Sequence, residues 1–176
     1  MTARPEDDDG HADELAAEIA SELTGSRYRI AVAESLTSGL IATTLGAAPH
    51  SSTWFLGGVV AYASEVKHKL LGVPPGPVVS EEAAVAMARG AASLFGAEIC
   101  LSVTGVGGPQ EQDCQPVGTV FFGCASPRGE LHVVKRQLHG SPDEIVRSTV
   151  VAGLRLLVSR VHGLVTEDGT ARSPRS

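Results

Sequence analysis

The chain has 176 residues, 43% of them hydrophobic, and a mean hydropathy of +0.10, which supports one domain with a substantial core and excludes disorder for its bulk. Its formal net charge of −6 argues against a general nucleic-acid binder. That charge is uneven: residues 1–18 hold seven acids and one base, while the other 158 residues balance thirteen acids against thirteen bases.

Residues 1–10 read as a disordered acidic tail. Over 12–23, Leu15, Ala16, Ile19, Ala20 and Leu23 recur at helical spacing, and Gly25 supplies a stop. Residues 28–33 read as a short strand, 36–45 as a helix with Leu40, Ile41 and Leu45 on one face, and 49–52 as a turn. Residues 53–61 are β-rich, and Gly57-Gly58 within them marks a bulge or a close backbone approach. A short helix over 63–71 is ended by Gly72 and Pro74. Ser80 caps a helix running to Phe95, with Glu81 and Glu82 at its positive end. Residues 97–103 read as an apolar strand and 105–116 as a Gly-rich polar loop. Two further strands, 117–125 and 131–138, join through Ser126-Pro127-Arg128-Gly129. Val146, Val150, Leu154, Leu157 and Val161 define a last helix over 141–162, and 164–176 reads as a second disordered tail. Every apolar stretch is broken before membrane length, and the acidic N-terminus is unlike a signal peptide. The expected architecture is α/β, a three-layer α/β/α sandwich on a mixed, mostly parallel sheet of about five strands, with one domain over 11–163.

Cys100, Cys114 and Cys124 form no CxxC pair, which fits a reducing, cytoplasmic setting, and Cys100 and Cys124 fall in apolar strands as core residues. The six histidines show no HxxxH or HxH spacing, which gives a zinc site little support; no cofactor is expected. Two segments fall where a strand hands over to a loop or helix, the place where open α/β folds bind ligands. They are Glu34-Ser35-Leu36-Thr37-Ser38-Gly39 and Thr104-Gly105-Val106-Gly107-Gly108-Pro109. Each reads equally as a tight turn or as a loop whose backbone amides reach an anion. Ser35 is either an ordinary helix cap or a nucleophile beside helix-start amides that would hold an oxyanion.

A serine nucleophile needs a base, and Lys67 is the informative candidate. The chain carries eleven arginines and three lysines, and only a desolvated lysine can deprotonate at working pH. At helical spacing Lys67 neighbours Ala63, Leu70 and Leu71, an apolar side where burial lowers its pKa; the bland alternative is a snorkelling surface lysine. Tyr62, at the strand-to-helix junction before it, is placed to relay a proton, or is a half-buried aromatic. Ser64-Glu65-Val66-Lys67 matches S-x-x-K, but neither S-D-N nor K-T-G follows. Cys114 is a second candidate nucleophile without a neighbouring His. Arg147 is placed to reach a phosphate, or is an exposed helix arginine.

The corner Glu34-Ser35-Leu36-Thr37-Ser38-Gly39 resembles the E-S-[CA]-T-G-G motif of the CinA carboxy-terminal-domain family. Phe55-Leu56-Gly57-Gly58-Val59-Val60-Ala61-Tyr62, then Glu65, Lys67 and Leu70-Leu71-Gly72-Val73, is similar to that family's F-x-G-G-x-V-x-Y-x-N-E-x-K-x-x-L-L-G-V. Val79-Ser80-Glu81-Glu82-Ala83, the 104–109 loop and Pro116-Val117-Gly118-Thr119-Val120 continue the match in order. The resemblance implies a metal-independent amidohydrolase that converts nicotinamide mononucleotide (NMN) to nicotinic acid mononucleotide and ammonia. It implies Ser35 as nucleophile, Lys67 as base and Tyr62 assisting. Substrate binding would fall to Thr37, Ser38, Gly39, Thr104, Gly105, Gly107, Gly108 and Arg147. A small-molecule nucleotide partner and a homo-oligomer are implied, with no membrane or nucleic-acid partner. Two alternatives stay open: the same Ser–Lys chemistry on another amide, and a catalytically silent nucleotide- or partner-binding module. Five departures stand out: Ser38 for a motif glycine, Leu36 for a small residue or Cys, Ser64 where Asn is common, Gly140-Ser141-Pro142 for G-D-R, and the 110–115 loop, poorer in Gly and lacking a Lys.

Overall fold

The structure, a computed structural model, describes residues 5–171, without the side chains of 5–10, 128 and 169–171. In chain order the elements are α1 (Pro5–Leu23), β1 (Ile30–Glu34), α2 (Leu40–Ala47), α3 (Ser51–Trp54), β2 (Phe55–Val60) and α4 (Ser64–Leu71). There follow α5 (Glu81–Phe95), β3 (Ile99–Gly105), β4 (Thr119–Ala125), a 3₁₀ turn (Pro127–Gly129), β5 (Leu131–Gln137) and α6 (Pro142–Ala171). The five strands form one sheet in the order β2-β1-β3-β4-β5. β1 pairs parallel with β2 and β3, β4 runs antiparallel to β3, and β5 antiparallel to β4. Four of the five strands thus point one way, which is the mixed, mostly parallel α/β sheet expected.

Strand alternation builds the layers. Ile30, Val32, Ile99, Leu101, Val103, Val120 and Phe122 pack on one face with Ile19 and Leu23 of α1, Ile41 and Leu45 of α2, and Leu154, Leu157 and Val161 of α6. The intervening Ala31, Ala33 and Cys100 face Leu71 of α4 and Met87, Ala88 and Ala91 of α5. Small residues on this second face let α5 approach closely: a Cβ at Gly123 would lie 2.5 Å from Ala84 O. Gly57-Gly58 performs both readings made for it. The β1–β2 register shifts between Ile30 and Ala31, and a Cβ at Gly58 would lie 2.6 Å from Val32 Cγ2.

Four expectations change. The helix expected from 36 begins at Leu40, for a reason that belongs to the site below. The 49–52 turn is partly the single helical turn α3. The two tails are shorter than expected, because α1 starts at Pro5 and α6 continues to Ala171. Pro5 and the acids after it occupy the first turns of α1, where proline and negative charge favour a helix. α6 continues because Leu164 and Val165 pack on the core and Asp168 pairs with Arg27 (Nε–Oδ2 3.0 Å). Residues 1–4 and 172–176 lie outside the described residues. This longer α6 also contains a stretch long and apolar enough to cross a membrane, contrary to the sequence expectation. In the fold, its Ile145, Val150, Val151, Leu154, Leu157 and Val161 are buried against the sheet and α1.

Candidate functional site

β1 ends on Glu34, which is wholly buried. Its carboxylate accepts hydrogen bonds from the backbone N–H groups of Gly39 (3.0 Å), Ile41 (3.1 Å) and Ala42 (2.8 Å). An acid one turn upstream thus caps α2 and complements its positive end. To reach that geometry the chain passes through left-handed backbone at Ser38 (φ 51°) and Gly39 (φ 98°), so no helix can run through residues 36–39. Ser38 is exposed, so its departure from glycine strains the backbone and does not fill the cavity.

Ser35 opens this corner. Its N–H donates to Val103 O (3.1 Å), which ties it to the end of β3. Ser35 lines a cavity of about 260 Å³ at the carboxyl ends of β1 and β3, together with Tyr62, Lys67, Thr104, Gly105, Gly107 and Gly108. Lys67 is buried, 2% exposed, and Nζ donates to Tyr62 O (3.1 Å). Burial pushes its pKa below the ordinary lysine value, and the charge of Asp113 opposes that shift. Tyr62 holds the lysine through its carbonyl, while the residue itself is 71% exposed.

The second loop is pinned at its base: Val106 N–H donates to Thr119 O and Gly118 N–H to Val106 O. Thr104 Oγ1 donates to Val78 O (2.6 Å), so its hydroxyl supports the wall. Among the described residues, the N–H groups of Leu36, Thr37, Gly107 and Gly108 donate no hydrogen bond. Thr37, Ser38 and Gly39 shape the corner from outside the cavity lining, and Thr37 Oγ1 is buried without a partner. From α6 the lining residues are Pro142, Asp143 and Val146. Arg147 lies outside the lining, and its charge acts on Glu144. Ser141 N–H and Oγ both donate to Glu144 Oε2 (2.7 and 2.8 Å), which lowers the Glu144 pKa. Gly140-Ser141-Pro142 therefore starts α6 with a capping box.

Cys100 and Cys124 are buried in the sheet, which raises both thiol pKa values, Cys124 to about 11. Cys114 is exposed on the loop outside the cavity lining. A larger hollow, about 430 Å³, lies at the other end of β1, where Arg27 and Asp168 are already paired. It holds neither Ser35 nor Lys67. Three acids gain a place that sequence reading did not assign: Glu34, Asp113 and Asp143. For Glu34 the signal was an acid directly before a corner of small residues. Asp113 and Asp143 reach the site through long-range folding and carry no local signature.

Residues 12–161 match the family model described as the CinA C-terminal domain. The chain belongs to that family. A CinA-like protein from Frankia casuarinae is 40% identical over 166 residues, covering 92% of this chain and 38% of its own length. The chain spans 35–38% of the length of the first curated CinA relatives it matches. The nicotinamide-nucleotide amidohydrolase PncC from Enterobacter agglomerans is instead matched nearly end to end: 36% identity over 148 residues, 81% of this chain and 90% of that protein. Among solved structures, a CinA superfamily protein from Klebsiella pneumoniae superposes with a TM-score of 0.81 at 28% identity, covering 86% of this chain and 98% of that one. The CinA C-terminal domain fold and the five-stranded sheet described above agree.

Proposed function

We propose that this CinA C-terminal domain is a Ser–Lys amidohydrolase that deamidates NMN to nicotinic acid mononucleotide and ammonia. The observation that carries the reading is the joint burial of Ser35 and Lys67 in one cavity at the ends of β1 and β3, with the lysine biased toward its neutral form. The likeness to PncC supports the substrate class.

In this mechanism Ser35 Oγ attacks the carboxamide carbon as neutral Lys67 takes the hydroxyl proton. The developing oxyanion is met by the Leu36 and Thr37 N–H groups. The amides of Gly39, Ile41 and Ala42 are not available for it, because Glu34 occupies them. Lys67 then passes the proton to nitrogen, ammonia leaves, and an acyl-serine remains. Water, deprotonated by Lys67, attacks that ester and releases the carboxylate and Ser35. Tyr62 assists by fixing Lys67 through its carbonyl. The Gly107 and Gly108 amides receive the phosphoribosyl part.

Purified protein should release ammonia from NMN, with Ser35→Ala and Lys67→Arg each losing at least about a hundredfold in kcat. Retained activity in Lys67→Arg would remove the lysine from the mechanism. A second reading has its own observation: Asp143 lines the cavity and Arg147 does not, which disfavours a phosphate. On that reading the same chemistry acts on an unphosphorylated amide, and nicotinamide riboside would outpace NMN in the same assay.

A further inference from the structure

The loop between Pro109 and Pro116, one of the departures from the family motif, folds as a hairpin. Gln112 N–H donates to Gln115 O (3.2 Å) and Gln115 N–H to Gln112 O (2.8 Å). The two central residues, Asp113 and Cys114, have φ of 54° and 58°. That is the backbone of a type I′ turn, which selects Asn or Asp followed by Gly. With Cys114 in the glycine position the turn is not held by its own preference, and a contact elsewhere must hold it.

Asp113 makes that contact. Its Oδ2 accepts from Val78 N–H (2.7 Å) and Val79 N–H (2.9 Å), more than thirty residues away along the chain. Thr104 grips the same dipeptide through Val78 O. Val79 and Gln112 both line the cavity that holds Ser35 and Lys67. One carboxylate therefore joins two walls of the site. We propose that Asp113 is a positioning residue of this site: it latches the hairpin to Val78–Val79, which holds the Gln112 and Val79 walls of the cavity together, and its charge acts on the Lys67 ammonium. The assignment of a role in catalysis rests on the Ser–Lys reading; the latch itself does not.

The other groups around Lys67 leave this task to Asp113. On α4, Glu65 and Lys69 pair with each other at the exposed surface, and His68 Nδ1 lies 2.9 Å from Val73 O. α5 packs its Met87, Ala88 and Ala91 on this side, and its Glu81 and Glu82 are exposed. Glu34 of β1 is engaged by three α2 amides. Tyr62 contributes a carbonyl, and Asp143 of α6 lines the cavity. Asp113 is the charge that acts on Lys67 against its burial.

Two variants separate latch from charge. Asp113→Asn keeps an acceptor for both amides and tolerates the left-handed turn, but removes the charge. Asp113→Gly keeps the turn and removes the latch. The chain has three lysines, Lys67, Lys69 and Lys135, so ¹³Cε-lysine NMR reads the Lys67 titration directly, assigned by its loss in Lys67→Met. In Asp113→Asn the Lys67 midpoint should fall below the parent's, and the acid limb of kcat/KM should move with it, while KM stays within about twofold. In Asp113→Gly, KM should rise about tenfold, with the fold checked by thermal melting. An unmoved Lys67 titration in Asp113→Asn, or an unchanged KM in a folded Asp113→Gly, overturns the proposal. If the parent protein leaves NMN and nicotinamide riboside intact, the amidase reading fails; the Lys67 titration in Asp113→Asn then decides the charge, and thermal melting of Asp113→Gly, which should fall below the parent, decides the latch.

Discussion

Lys67 shows how a single residue ties sequence bias to chemistry. In a chain that uses arginine for most positive charge, the buried cation is a lysine, and its pKa lies below the ordinary value. Two consequences have definite signs. For activity, the neutral amine is the base, so kcat/KM should rise with pH through the lowered Lys67 pKa and level off above it, which a pH–rate profile on the released ammonia tests. For stability, the unfolded chain binds the proton more tightly than the folded one, so unfolding free energy rises with pH between the lowered folded pKa and the unfolded value near ~10.4. Below that window the folded state carries the full cost of a buried charge. Lys67→Met should accordingly melt above the parent at neutral pH, with the gap closing as pH approaches 10.4, while ammonia release is lost. A gap that widens with pH would reverse the assignment of Lys67 as a destabilised cation.

At the scale of elements, the strand-to-helix corner is decided by Glu34. The hydrophobic spacing of Leu36, Leu40, Ile41 and Leu45 predicts a helix from residue 36, but a buried carboxylate takes the Gly39, Ile41 and Ala42 amides and delays α2 to Leu40. Removing that charge should be costly. Glu34→Gln turns one acceptor into a donor against backbone N–H groups, and chemical denaturation should show a loss of about 2–4 kcal/mol. A loss under half a kcal/mol would mean that the corner is held by something else. Most elements were legible because their signals are local: Ser80 caps α5, accepting from Ala83 N–H, and alternation places β1 and β3. Ser35, Tyr62 and Thr104 through Gly108 line one cavity from the strand-end segments, and Lys67 reaches the same cavity from within α4. Asp113 was not legible, because its partners Val78 and Val79 are backbone amides brought in by the fold. Glu34 was quoted as part of a motif, but a motif does not say which amides an acid will take.

For the whole molecule, the strand order β2-β1-β3-β4-β5 puts β1 between neighbours reached in opposite directions, and the cavity opens at that switch point. α6 spans the domain from this end to the other. Pro142, Asp143 and Val146 line the cavity, and Asp168, some 40 Å along the helix at about 1.5 Å per residue, meets Arg27 before the start of β1. The last turns were read as a disordered tail because Thr166 through Gly169 carry no apolar period. What keeps them helical is tertiary: the partly buried Leu164 and Val165 on the core and the Arg27–Asp168 pair. Each half-buried aliphatic contributes ~1 kcal/mol, so deleting 164–176 should cost about 2 kcal/mol and lower Tm by about 4–8 °C. Because this end of α6 lies away from the cavity, the truncated protein should keep the parent's KM at temperatures where it is folded. A truncation that leaves Tm unchanged would show that the C-terminal turns of α6 add nothing to the domain. One that raises KM in the folded protein would show that α6 transmits the state of its far end to the cavity wall at Asp143.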